Sequence, residues 1–163
     1  MWPVRFAAYK SSRGPGLAIA LPAGEFRGID ASDAMFPGWL DELIAEGTPA
    51  LQAAGEKLAC GRKIDAKSVE WLPPIARPGK IICVGLNYVD HSIESGFVPP
   101  TYPTLFARFS TSLIGHGAAI RRPEASIQLD YEGEMVAVIG KAGRHIAPAQ
   151  ALSHVAGYSI FND

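Results

Sequence analysis

Short apolar runs broken by turn residues open the chain: Val4–Tyr9, the glycine-containing Ser11–Gly16, then Leu17–Leu21 and Pro22–Gly24. Two apolar runs around a glycine-rich turn predict a β-hairpin. The period then changes. Trp39, Leu40, Leu43 and Ile44 recur at helical spacing with acidic residues between them and Gly47 behind. Thr48 and Pro49 supply an N-cap and a first-turn proline for a second helix ending near Gly61. From Leu72 to Gly79 the chain carries Pro73, Pro74 and Pro78, too many missing donors for a helix or central strand. That connector predicts a small β-rich N-terminal domain over 1–71 and a second unit over 72–163.

The second unit is strand-like. Lys80–Val84, Ser112–Ile114, Glu134–Ile139 and Gly157–Phe161 predict strands. Short helices are predicted at Asn87–Ser95, with Asn87 as cap and Gly96 as stop, and at Pro148–Val155 ahead of Gly157. The expected fold class is therefore α+β and β-rich. Tyr158–Asp163 reads as the middle of a strand, so the domain is expected to continue beyond this chain.

Composition narrows the function classes. With 163 residues, 48% hydrophobic and 19% charged, the chain can bury a core, and disorder is excluded. A net charge of −1 and the lack of a Lys/Arg run argue against nucleic acid as a partner. No stretch approaches the roughly 18 apolar residues of a membrane span, and the first residues do not resemble a signal peptide. A soluble cytoplasmic protein is expected, with no membrane partner. Cys60 and Cys83 are too few for a disulfide framework, fit a reducing compartment and are expected as small buried hydrophobes.

Two constellations could carry chemistry. Strand geometry puts Glu132 and Glu134 on one face, about 6–7 Å apart along the chain, and that face continues into Val136 and Val138. Enclosed like charges repel unless a cation lies between them, and hard oxygen donors favour Mg²⁺, Mn²⁺ or Ca²⁺ over zinc. In a helical turn, His91 and Glu94 stand at i,i+3, where a carboxylate can fix the imidazole tautomer and strengthen it as a base. Spacing alone favours a solvated glutamate pair and a surface His beside a surface Glu. His116 reads as a turn residue, His145 and His154 lack acidic partners at useful spacing, and Arg121-Arg122 fits either an anion contact or a solvated strand end. The third glycine of a dinucleotide fingerprint, a P-loop and a Gly-x-Ser-x-Gly elbow are all missing, which removes support for nucleotide binding and serine hydrolysis.

Pro78–Tyr88, the following His91 and Glu94, Tyr102–Phe106, Leu129–Glu134 and Gly157–Asp163, in that order and spacing, resemble the fumarylacetoacetate hydrolase family. The resemblance spans roughly 72–163; residues 1–71 more loosely resemble the small N-terminal domain of many bacterial members. It implies a mixed β-roll, incomplete here, that commonly dimerises, and a homodimer is expected. It implies Glu132, Glu134 and Asp163 as ligands of Mg²⁺ or Mn²⁺, with Ca²⁺ also accommodated, and His91 oriented by Glu94 as the base. Arg108 stands where many relatives carry Lys, with an implied role toward a substrate carboxylate. The implied activity is metal-dependent C–C hydrolysis of an acylpyruvate or fumarylpyruvate-like 2,4-dioxo acid, a small 2-oxo acid substrate. The alternatives are an isomerase or decarboxylase of 2-oxo dicarboxylates in aromatic catabolism, and a non-catalytic truncated remnant.

Overall fold

A computed structural model describes residues 4–94, 96–98 and 100–163, with His91 described by its backbone alone. The fold is α+β and rich in strands. Five antiparallel strands, β1 (Arg5–Ser11), β2 (Gly14–Ala20), β3 (Phe26–Asp30), β4 (Arg62–Ile64) and β5 (Glu70–Leu72), form a sheet in the order β4-β3-β2-β1-β5. The predicted hairpin is β1–β2, turning at Gly14 with φ +106°. The strands β3, β4 and β5 were not expected, since two of them have only three residues, too few to show a period.

Alternation gives this sheet two different faces. On one, Ala8, Leu17, Ile19 and Ile29 meet Leu40 and Leu43 of α1 (Leu40–Glu46) and Ala54 and Leu58 of α2 (Thr48–Ala59). Leu17 and Leu58 are fully buried, each worth about 2–3 kcal/mol of transfer free energy. Leu72 and Ile75 pack against the same core. The other face gathers Tyr9, Ala18 and Ile64 with Phe26 and Trp71. Tyr9 lies opposite Gly16, where an added Cβ would sit 2.5 Å from the tyrosine oxygen, so only glycine leaves room for the ring.

The buried Tyr9 hydroxyl donates to Asp30 Oδ1 at 2.8 Å. Arg62 donates to both oxygens of the same carboxylate, Nη2 to Oδ1 at 2.7 Å and Nε to Oδ2 at 3.0 Å, and Nη2 also reaches Ser11 Oγ at 3.2 Å. The charge is thus enclosed with its hydrogen-bonding capacity met. Arg62 bonding holds the Asp30 carboxyl below the usual carboxylate range, and burial followed by the bond to Asp30 pushes the Tyr9 phenol up.

The second half contains β6 (Ile81–Gly85), α3 (Val89–Glu94), β7 (Thr104–Arg108), β8 (Gly133–Ile139) and β9 (Val155–Asn162). Among the described residues these strands form two antiparallel pairs, β6–β7 and β8–β9. Ser112–Ile114 is not a strand as expected: Ser110–Ser112 is a 3₁₀ turn, in which the Ser112 hydroxyl donates to Phe109 O at 2.8 Å, and the partner of β6 is β7. The Pro148 helix is likewise 3₁₀ (Pro148–His154), and Val155 already belongs to β9. Neither cysteine is fully buried; Cys60 is exposed at the end of α2 and Cys83 is half-buried. His116 does lie in a turn, whereas Arg121 and Arg122 lie in irregular exposed chain and not at a strand end.

The Asp30 network generates a pH dependence. Its folded-state pKa lies below the unfolded value, so its stabilisation is complete above about pH 4 and is lost as pH falls through the folded pKa. Thermal melts across acid pH are expected to show this loss, and Asp30→Asn to flatten it. At neutral pH, Arg62→Ala, which leaves Asp30 enclosed without its cation, is expected to cost about 3 kcal/mol.

Candidate active site

β8 and β9 set the site. Along β8 and the residue just before it, Glu132, Glu134, Val136 and Val138 are half-buried, whereas Gly133, Met135, Ala137 and Ile139 are exposed. The two glutamates therefore share the covered face, as their spacing predicts. The register pairs Gly133 with Asn162 and Glu134 with Phe161. The ladder continues by one more rung, the Asp163 N–H donating to Glu132 O at 2.9 Å, while the Glu132 N–H donates to the Asn162 side-chain oxygen at 3.0 Å. Asp163 is thus opposite Glu132 and on the same face.

The Asp163 side chain is only 4% exposed and does not stand free. Arg108, the last residue of β7, places Nε 2.5 Å from Asp163 Oδ1. The guanidinium also stands over the Phe106 ring, 5.5 Å from its centroid. Hydrogen bonding to Asp163 raises the Arg108 pKa, and the nearby Cys83 thiol is pushed up by burial and then by the Asp163 charge. Glu132, Glu134 and Asp163 share a surface, but among the described residues no three His, Cys, Asp or Glu side chains converge into a metal cage.

The helix expected over 87–95 is shorter, Val89–Glu94. Gly96 ends it in the left-handed region at φ +72°, its N–H donating to Ile93 O at 3.0 Å and that of Phe97 to Ser92 O at 2.9 Å. Ahead of it Leu86 takes φ +53°, rare for a side-chain-bearing residue. The fully buried Ser92 holds that bend, its hydroxyl lying 3.3 Å from Tyr88 O and 3.4 Å from Leu86 O. The Tyr88 hydroxyl accepts the Met135 N–H at 3.4 Å, tying the start of α3 to β8 beside Glu134. Glu94 is exposed; the His91 side chain lies outside the described residues, and so does its pairing with Glu94. Tyr88 and Ser92 were not singled out from sequence, since a hydroxyl bonded to main chain has no spacing signature.

Comparison with known proteins gives this arrangement a family. The family model for the fumarylacetoacetate (FAA) hydrolase C-terminal domain matches residues 80–163, the stretch that holds every residue of the site. The chain belongs to the fumarylacetoacetate hydrolase family. It is 37% identical over 98% of its length to the Xenopus laevis protein named oxaloacetate tautomerase fahd2, mitochondrial, and covers 51% of that protein. A solved fumarylacetoacetate hydrolase from psychrophilic Exiguobacterium antarcticum superposes with a TM-score of 0.75 at 30% identity, over 99% of this chain and 56% of that one. A 5-carboxymethyl-2-hydroxymuconate delta-isomerase from Mycobacterium smegmatis gives 0.65 at 27%, over 98% and 53%. The chain spans about half the length of the curated relatives it matches. Among the described residues no helix is long and apolar enough to cross a membrane.

The α3 terminus is open to a direct test. A Cβ at Gly96 would meet nothing within 4 Å, so Gly96→Ala pays only the left-handed backbone penalty, about 1 kcal/mol. Faster hydrogen exchange confined to the α3 amides is the expected result; unchanged protection would mean that the glycine does not end the helix.

Proposed function

We propose that the chain supplies the metal-binding and proton-transferring half of an enzyme that isomerises a small 2-oxo dicarboxylate through its enolate. The observation that carries this reading is the placing of Glu132, Glu134 and Asp163 on one covered face of β8–β9, with the start of α3 tied to β8 through Tyr88. Three carboxylates on one half-buried surface repel, and Arg108 offsets one of them; the hard-oxygen donor set fits Mg²⁺ or Mn²⁺, and also Ca²⁺. Such a cation, when bound, supplies Lewis-acid stabilisation to charge developing on an enolate oxygen. Glu132, Glu134 and Asp163 would hold it.

The proton work falls to α3. His91 is the proposed base, moving a proton between the carbon next to the ketone and the enol oxygen. Glu94, one helical turn further on, is its proposed orienting partner. The protonated form of His91 returns the proton in the reverse sense, so the cycle consumes no water and breaks no carbon–carbon bond. The relatives named as a tautomerase and a delta-isomerase support this choice of reaction.

Metal-dependent hydrolysis of an acylpyruvate-type 2,4-dioxo acid is the second reading, favoured by the family model over 80–163 and by the solved fumarylacetoacetate hydrolase. In it, His91 takes a proton from water, which attacks the distal carbonyl, and the leaving fragment departs as an enolate. Both readings use the same residues.

The intact protein, loaded with Mn²⁺, is expected to accelerate loss of the enol absorbance of enol-oxaloacetate. His91→Ala should lower that rate about 10²–10⁴-fold with Mn²⁺ binding retained. An unchanged rate in the variant would assign proton transfer to another group. Release of pyruvate from an acylpyruvate, without acceleration of the enol decay, would decide for hydrolysis.

A further inference from the structure

We propose that Arg108 is a positioning residue: its guanidinium fixes the Asp163 carboxylate on the Glu132/Glu134 face, ready for a cation, and is not reserved for the carboxylate of a substrate. This rests on the reading of Glu132, Glu134 and Asp163 as metal ligands. Asp163 Oδ1 takes Arg108 Nε at 2.5 Å, so the carboxylate is oriented by an Arg bound to it and not to a cation. The guanidinium is itself held. Its residue closes β7, paired in register with Ile81 of β6, and its head stands over the Phe106 ring. A side chain fixed by strand pairing, ring stacking and an ion pair is poorly suited to follow a ligand in and out.

Charge supports the same assignment. Three carboxylates, one divalent cation and Arg108 balance to neutral, so the arginine completes the compensation that the metal alone leaves unfinished. Asp163 is almost completely covered, and without Arg108 its charge would be enclosed with no cation before the metal binds. Partners of this kind, bonded to a ligand and not to the metal, orient the ligand, and their loss typically weakens metal binding about 10–100-fold.

The test is a Mn²⁺ titration of the full chain followed by electron paramagnetic resonance of the free ion, on the unaltered protein, Arg108→Gln, Arg108→Lys and Glu134→Gln. Removing a positive charge would by itself tighten cation binding; the positioning role predicts the opposite sign. Arg108→Gln is expected to weaken binding about 10–100-fold without changing the number of ions bound, with Arg108→Lys in between, because lysine keeps the charge but not the planar fork. Unchanged or tighter binding in Arg108→Gln, with Glu134→Gln still abolishing it, would overturn the positioning role and leave the metal site standing. Retained full affinity in Glu134→Gln would remove the metal site, and this proposal with it. Should Arg108→Gln fail to fold, Arg108→Lys decides alone: weaker binding supports the role and unaltered affinity overturns it.

Discussion

The register between β8 and β9 is the constraint on which the candidate site depends. Because side chains alternate with a period of two, a slip of one residue would carry Glu132 and Glu134 to the exposed face now held by Met135 and Ile139. Two bonds at the ribbon's end oppose the slip: the Asp163 N–H to Glu132 O and the Glu132 N–H to the Asn162 side chain. The asparagine thus acts on the position of both neighbouring carboxylates without contributing a charge. The irregularity between Val138 and Ile139 lies at the far end of the ribbon, where it leaves the acidic residues in phase.

The rest of the site is attached to that ribbon at two points. Arg108 ties the end of β7 to Asp163, and Tyr88 ties the approach to α3 to the main chain after Glu134. The tyrosine contact follows from sheet geometry. Asp163–Glu132 is a hydrogen-bonded pair, so Met135, three positions on, turns its N–H to the edge away from β9, where Tyr88 meets it. The bend at Leu86 stores a small amount of backbone strain, and the enclosed hydroxyl of Ser92 bonds across it.

What was legible in the sequence was whatever has a period or a local signal. The alternation from Glu132 to Val138 placed two carboxylates on one face, Gly96 ended α3, and the two helices over the first sheet showed their spacing. Elements without a period were missed. β7 is exposed along its whole length, so no covered face is written into Thr104–Arg108, and β4 and β5 are too short to display alternation. Long-range polar partners were invisible for a different reason. Tyr9, Asp30 and Arg62 converge only after the four strands β1 to β4 have paired, and Arg108 meets Asp163 only after both ribbons have formed. The side-chain arrangement of His91 and Glu94 was proposed from spacing and resemblance, and spacing at i,i+3 carries no information on which way an imidazole faces.

The shortness of the outermost strands of the first sheet has its own consequence. A sheet edge is a row of unpaired donors and acceptors that a foreign strand can join, and the longer and flatter it is, the greater the hazard. Here the edges are β4 and β5, of three residues each, carrying Arg62 and Lys63 on one side and Glu70 on the other. A strand added at either edge would gain few main-chain bonds and would have to desolvate charge to do so. The first sheet is thereby closed to growth by strand addition, and at β5 the chain at Gly115 also packs close against the Trp71 carbonyl.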